Sequence, residues 1–120
     1  MVSYTLSKKN IIKNTSSLDA VFSSGKKLTV STTSLYYLKH ESKKDFRVAF
    51  TVGKKTHNLA VNRNKIKRLM REAFRLCIDD YTIESCDFVF VFFGQDIPSY
   101  KEVEDSIKSL LLSLSKAVES

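Results

Sequence analysis

A chain of 120 residues is long enough to bury a core without disulfide or metal staples, so a single domain over residues 1–120 is expected. With 42% hydrophobic and 28% charged residues the composition is that of an ordinary globular protein, and only the net charge of +7 stands out. Such an excess points to a polyanionic partner and carries no information about fold.

In chain order, residues 1–14 read as an extended, basic lead-in without the apolar core of a secretory signal. The stretch "NTSSLDAVFSSGKK" offers Thr15 or Ser16 as N-cap, Leu18, Val21 and Phe22 at helical spacing and Gly25 as a stop, predicting a short amphipathic helix. Next, "LTVSTTSLYYL", β-branched and aromatic, reads as one long strand or two. In "FRVAFTV", Phe46, Val48, Phe50 and Val52 alternate with Arg47, Ala49 and Thr51, the period of a strand with one buried face. Lys54 to Leu59 is a connection, and Asn58 or Asn62 is placed to cap the next helix.

The clearest helix lies in "AVNRNKIKRLMREAFR", Ala60 to Arg75. With Arg63 set at zero and about 100° per residue, Lys67, Arg71, Asn64, Arg75 and Arg68 fall between about 40° and 140°. Leu69, Ala73, Ile66 and Met70 fall between about 240° and 340°, with Phe74 on the border near about 20°. After it, "CDFVFVFF" reads as a strand covered on both faces, as in a mixed or parallel sheet. The last helix, in "SYKEVEDSIKSLLLSLSKAV", opens with a Ser99-x-x-Glu102 capping box and carries Val103, Ile107, Leu110, Leu111 and Leu114. Helix, strands, basic helix, strand, helix spells an α+β sandwich holding one β-α-β unit. The longest apolar run, Phe88 to Phe93, is far too short to span a bilayer, and a cytoplasmic protein is expected.

The charge is concentrated. Lys54 to Arg75 holds eight basic residues and one acid, a balance of +7, while the remaining twelve basic and twelve acidic residues cancel. A basic helical face is by default a solvated surface, but two features argue for an external anion here. Four of the six cations between Ala60 and Arg75 are arginine, whose planar fork suits phosphate. The row Arg63, Lys67, Arg71, Arg75 sets like charges at i and i+4, which weakens an isolated helix, with only Glu72 nearby to offset it.

Protein-borne catalysis finds little support. The acids Asp79, Asp80, Glu84 and Asp87 lie beyond the basic block and are assigned to a helix end and a turn; Gly25, Gly53 and Gly94 are isolated and form no phosphate loop. His57, beside Lys54 and Lys55, has no paired nucleophile and reads as a phosphate-contacting loop residue. Cys77 and Cys86 form no metal-ligand spacing and are expected to be reduced structural thiols. Phe22 and Tyr36 or Tyr37 are either core or, if exposed beside the cations, a stacking platform for unpaired bases.

The segment Arg63-Asn64-Lys65-Ile66-Lys67-Arg68, followed by Arg71-Glu72-Ala73-Phe74-Arg75, resembles the signature of the bacterial ribonuclease P protein subunit. "RVAFTVGKK", "SLDAVFSSGKKL", "SLYYL" and "DFVFVFF" are similar to that family's other elements, so the resemblance covers nearly the whole chain. It implies an α-β sandwich with a small mixed sheet and a left-handed β-α-β crossover, against the usual preference. It also implies a non-catalytic protein component of an RNA-based endoribonuclease, in which an RNA subunit using magnesium removes the 5′ leader of precursor tRNA. No catalytic or metal-binding residue is expected in the protein.

On that resemblance Arg63, Asn64, Lys65 and Arg68 would face the RNA subunit. Phe22, Tyr36, Thr51, Lys55, Lys67 and Arg71 would line or rim a leader cleft between the first helix and the sheet, with Lys54, His57 and Arg75 as further phosphate contacts. The partners implied are the catalytic RNA and the leader, with no membrane and no DNA. Leu18 stands where the family commonly has an aromatic residue, and Gly53 and His57 replace the usual serine and glycine around the two lysines. A general or ribosome-associated RNA-binding protein is the alternative. DNA binding through the basic helix lacks a helix-turn-helix or dimerising heptad.

Overall fold

The computed structural model describes residues 12, 15–39, 46–53, 59–78 and 86–119. In order these form α1 (Thr15–Ser24), β1 (Lys26–Val30), β2 (Thr33–Lys39), β3 (Arg47–Val52), α2 (Ala60–Cys77), β4 (Cys86–Phe92) and α3 (Tyr100–Glu119). The strands make one mixed sheet in the order β1-β2-β4-β3. β1 and β2, then β2 and β4, are antiparallel, whereas β3 and β4 are parallel neighbours joined through α2. That is the expected β-α-β unit.

The stretch left open as one strand or two is a hairpin. It turns through Ser31 and Thr32, and Ser31 takes the left-handed φ of 56° that such two-residue turns demand. α2 begins after Leu59 in extended conformation with no side-chain cap; Asn62 lies inside the helix and Asn58 outside the described residues. At α3 the expected box is half formed, the Glu102 amide donating to Ser99 Oγ at 3.2 Å.

Strand periodicity sorts the core into two layers. Phe46, just ahead of β3, and Val48, Phe50 and Val52 of β3 join Cys86, Phe88, Phe90 and Phe92 of β4 against α2 and α3. There Phe74 of α2 meets Phe46, Phe50, Phe88 and Phe90 with ring centroids 5.7 to 5.8 Å apart. The opposite face is smaller: Val21 of α1, Val89 and Ile12, with Leu18, Tyr36, Leu38, Ala49 and Val91 around them. β4, sandwiched between both layers, is buried along almost its whole length, which explains why its sequence does not alternate. Among the described residues no helix is long and apolar enough to cross a membrane.

Candidate nucleic-acid interface

Two surfaces emerge. The first is the outer side of α2. Burial of Ile66, Met70, Ala73, Phe74 and Cys77 fixes the helix against the core, and Asn64, Lys67, Arg68 and Arg71 then line a shallow groove on its exposed side. Lys65 is exposed, and Arg63 and Arg75 are half-buried. Arg75 is engaged within the helix: its Nε donates to Glu72 Oε2 at 3.2 Å, and a second bond joins its Nη2 to Oε1. Each charge favours the other's ionised form, so the Glu72 carboxyl titrates below its usual range and the Arg75 guanidinium above.

The second surface lies across the sheet. Phe22, at the end of α1, is 41% exposed, and its ring meets half-buried Tyr36 of β2 edge to face, 4.9 Å between centroids. Lys27 of β1 lays its ammonium 5.5 Å from the centre of the Tyr36 ring. Thr51, on the same face of β3, directs its hydroxyl at the Phe90 carbonyl, 3.5 Å away. Tyr37 points the other way, onto the main core, so the choice between the two tyrosines falls to Tyr36.

The expected cleft set is thereby divided. Phe22, Tyr36 and Thr51 share one face, but Lys67 and Arg71 stand with Asn64 and Arg68 on α2, which packs on the other. The cause is topological: the crossover between parallel β3 and β4 lies on the side opposite α1. Within α2, Phe74 faces the sheet while Arg75 lies within electrostatic reach of Tyr100 at the start of α3. The α2 cations thus belong to a helix packed on the sheet face opposite the one that holds Phe22 and Tyr36. Lys54, Lys55 and His57 lie outside the described residues.

Three features escaped sequence reasoning. Arg47 and Asp87 form a forked ion pair between β3 and β4; Asp87 is a strand residue, not part of a turn. Opposite charges at the starts of two strands joined by a crossover were the available signal. Lys27 over Tyr36 had none, because its register is set by the hairpin turn. Phe93, 41% exposed just past the end of β4, reads in the sequence as the tail of an apolar strand. Among the described residues no group of three or more His, Cys, Asp or Glu side chains is placed to hold a metal ion.

A mixed sheet with a cationic helix on one side and, on the other, an exposed Phe22 paired with half-buried Tyr36 beside a lysine defines a class, the α+β domains that bind nucleic acid. The family model described as Ribonuclease P matches residues 6–115. The ribonuclease P protein component of Clostridioides difficile strain 630 is 33% identical over 102 residues, covering 83% of this chain and 87% of the relative. That of Shouchella clausii is 32% identical over 108 residues, covering 88% and 86%. In fold, the chain is similar to the Staphylococcus aureus RNase P protein, with a TM-score of 0.72 at 24% identity over 89% of this chain and 95% of that one. The Thermotoga maritima RNase P protein gives a TM-score of 0.68 at 23% identity, covering 78% and 87%. The chain belongs to the ribonuclease P protein family.

Proposed function

We propose that this chain binds two RNAs on two surfaces: the RNA subunit along the cationic flank of α2, and the single-stranded 5′ leader of precursor tRNA over Phe22 and Tyr36. Family membership makes it the protein component of an RNA-based endonuclease that processes the 5′ end of tRNA. In this reading Arg63, Asn64, Lys65 and Arg68 meet the RNA subunit, Thr51 and Lys55 join Phe22 and Tyr36 on the leader, Lys67 and Arg71 stand where the two RNAs approach each other, and Lys54, His57 and Arg75 add phosphate contacts. Hydrolysis and its magnesium ions belong to the RNA.

The observation that carries the leader assignment is the exposed Phe22 ring braced edge to face on Tyr36, with the Lys27 ammonium alongside. Bases stack on such rings whatever their sequence, and a nearby cation tracks the backbone. Because mature tRNA has no leader, this contact favours precursor over product. Cations that neutralise crowded phosphates also reduce the demand for added magnesium.

Reconstitution with the chain's own RNA subunit tests the role: precursor cleavage at low magnesium should rise when the protein is added, and an unchanged rate would overturn it. Phe22→Ala or Tyr36→Ala, with folding intact, should weaken precursor binding by about fivefold or more and leave mature tRNA unaffected. Equal losses for both RNAs would refute the leader assignment.

A further inference from the structure

The aromatic surface does not end at Tyr36. Phe92 is in the main core, 2% exposed, and a Cβ on Gly94 would lie 2.7 Å from the Phe92 ring, so both residues point toward α2 and α3. Pairing continues past the strand's end: the Phe93 amide donates to the Thr32 carbonyl at 2.9 Å, and the Gly53 amide to that of Phe92 at 3.4 Å. Alternation thus carries Phe93 to the opposite face, the one that holds Tyr36, Val89 and Val91. Its ring is 41% exposed. Thr51 and Val91, paired in register between it and the Tyr36 row, are half-buried, which leaves a partly open floor connecting the two aromatic positions.

We propose that Phe93 is a second base-stacking position of this surface, taking a different base of the same single strand from the one held at Phe22 and Tyr36. The inference rests on the leader-binding reading above. Tyr36 stands opposite Val89, and the four residue steps from Val89 to Phe93 span about 13 Å of strand, too far for one base to touch both rings. A lone exposed phenylalanine needs no explanation, but one that continues a sheet face already carrying the Phe22–Tyr36 pair extends that platform. The occupant it fits is the same unpaired strand, since every base offers a π face and no sequence-specific partner is required. The leader contact then runs along the direction of β4 toward the ends of β3 and β4, and spans two separated stacking points.

The test uses the holoenzyme and precursor tRNAs carrying one abasic nucleotide at successive leader positions. Wild type should lose about fivefold or more in affinity at two positions separated by at least one tolerant nucleotide. Phe93→Ala should silence one of these positions and Phe22→Ala the other, each leaving mature tRNA binding unchanged; Phe93→Tyr should restore the wild-type pattern, whereas Phe93→Leu, apolar but without a π face, should not. A Phe93→Ala protein that keeps the wild-type pattern, or loses affinity equally at all positions and for mature tRNA, would overturn the proposal. If Phe22→Ala also leaves the pattern intact, the leader surface itself is misassigned; if only Phe93→Ala does, the extension alone fails.

Discussion

Arg47 and Asp87 clasp each other across the parallel β3–β4 pair. Nε donates to Oδ1 at 2.8 Å and Nη2 to Oδ2 at 2.5 Å, with side chains only 20% and 8% exposed. The two are register partners, so the fork ties the edge strand to the central one on the side of the sheet that carries α1, and the carboxylate holds the Arg47 guanidinium above its usual range. Asp87→Ala takes the carboxylate from a largely buried cation. It should cost about 2–3 kcal/mol in urea denaturation, somewhat under a fully buried pair because Arg47 keeps contact with water. Arg47→Met with Asp87→Leu should recover most of that loss, since it removes both charges together.

Gly25 sets the seat of α1. A Cβ there would lie 2.3 Å from the Val21 carbonyl oxygen and 2.5 Å from that of Tyr37, both backbone atoms that cannot swing aside. Gly25→Ala should therefore destabilise the fold by about 1–3 kcal/mol and shift α1 on β2. Because Phe22 rides on that helix, precursor binding should fall further than mature tRNA binding. Thermal melts and paired binding curves check both effects.

Glu72 holds the Arg75 guanidinium in an ion pair within α2, and if Arg75 contacts RNA phosphate as proposed, the two anions compete for it. The pair is solvent-accessible and lies within one helix turn, so Glu72→Gln should leave stability nearly unchanged. Affinity for the RNA subunit should rise. The slope of log affinity against log salt should steepen by roughly 0.7–0.9 for each phosphate newly neutralised. Arg68→Ala should do the reverse, and binding isotherms over a salt series read both.

Burial pushes the Cys86 thiol up to about 12 from its ordinary 9.0, with Asp87 adding to the shift. The folded protein holds this proton where the unfolded chain releases it, so the contribution is fully present below pH 9.0 and lost as pH rises toward about 12. Across that window wild-type stability should fall more steeply than that of Cys86→Ala, compared by denaturant midpoints. In the native state Cys86 should also resist alkylation at pH 9, while the unfolded chain reacts.

The local elements were largely legible. Cations and apolar residues in α2 alternate with the helical period, which predicted both its core-facing residues and its outward cationic face, and Phe46 to Val52 alternate as a one-sided strand should. The hairpin was less legible because its turn uses Ser31 in a left-handed conformation without the glycine or asparagine that usually marks such turns. At the site, Leu18, Val21 and Phe22 form one apolar stripe in sequence, yet Val21 is fully buried and Phe22 is 41% exposed. Nothing within α1 distinguishes them, because the width of sheet that covers the stripe depends on strands far along the chain.

The period of each segment, the concentration of positive charge on one helix and the motif that marks the family are all written in short windows of residues. They arise from backbone geometry and side-chain chemistry acting over a few positions. Sidedness came from the assembled fold alone: that α1 and α2 lie on opposite faces of the sheet, that Tyr36 rather than Tyr37 meets Phe22, and that Phe93 returns to the aromatic face. The physical reason is that a side chain's exposure depends on its neighbours, and here the neighbours are fixed by strand order and crossover, long-range pairings that no local window of residues contains.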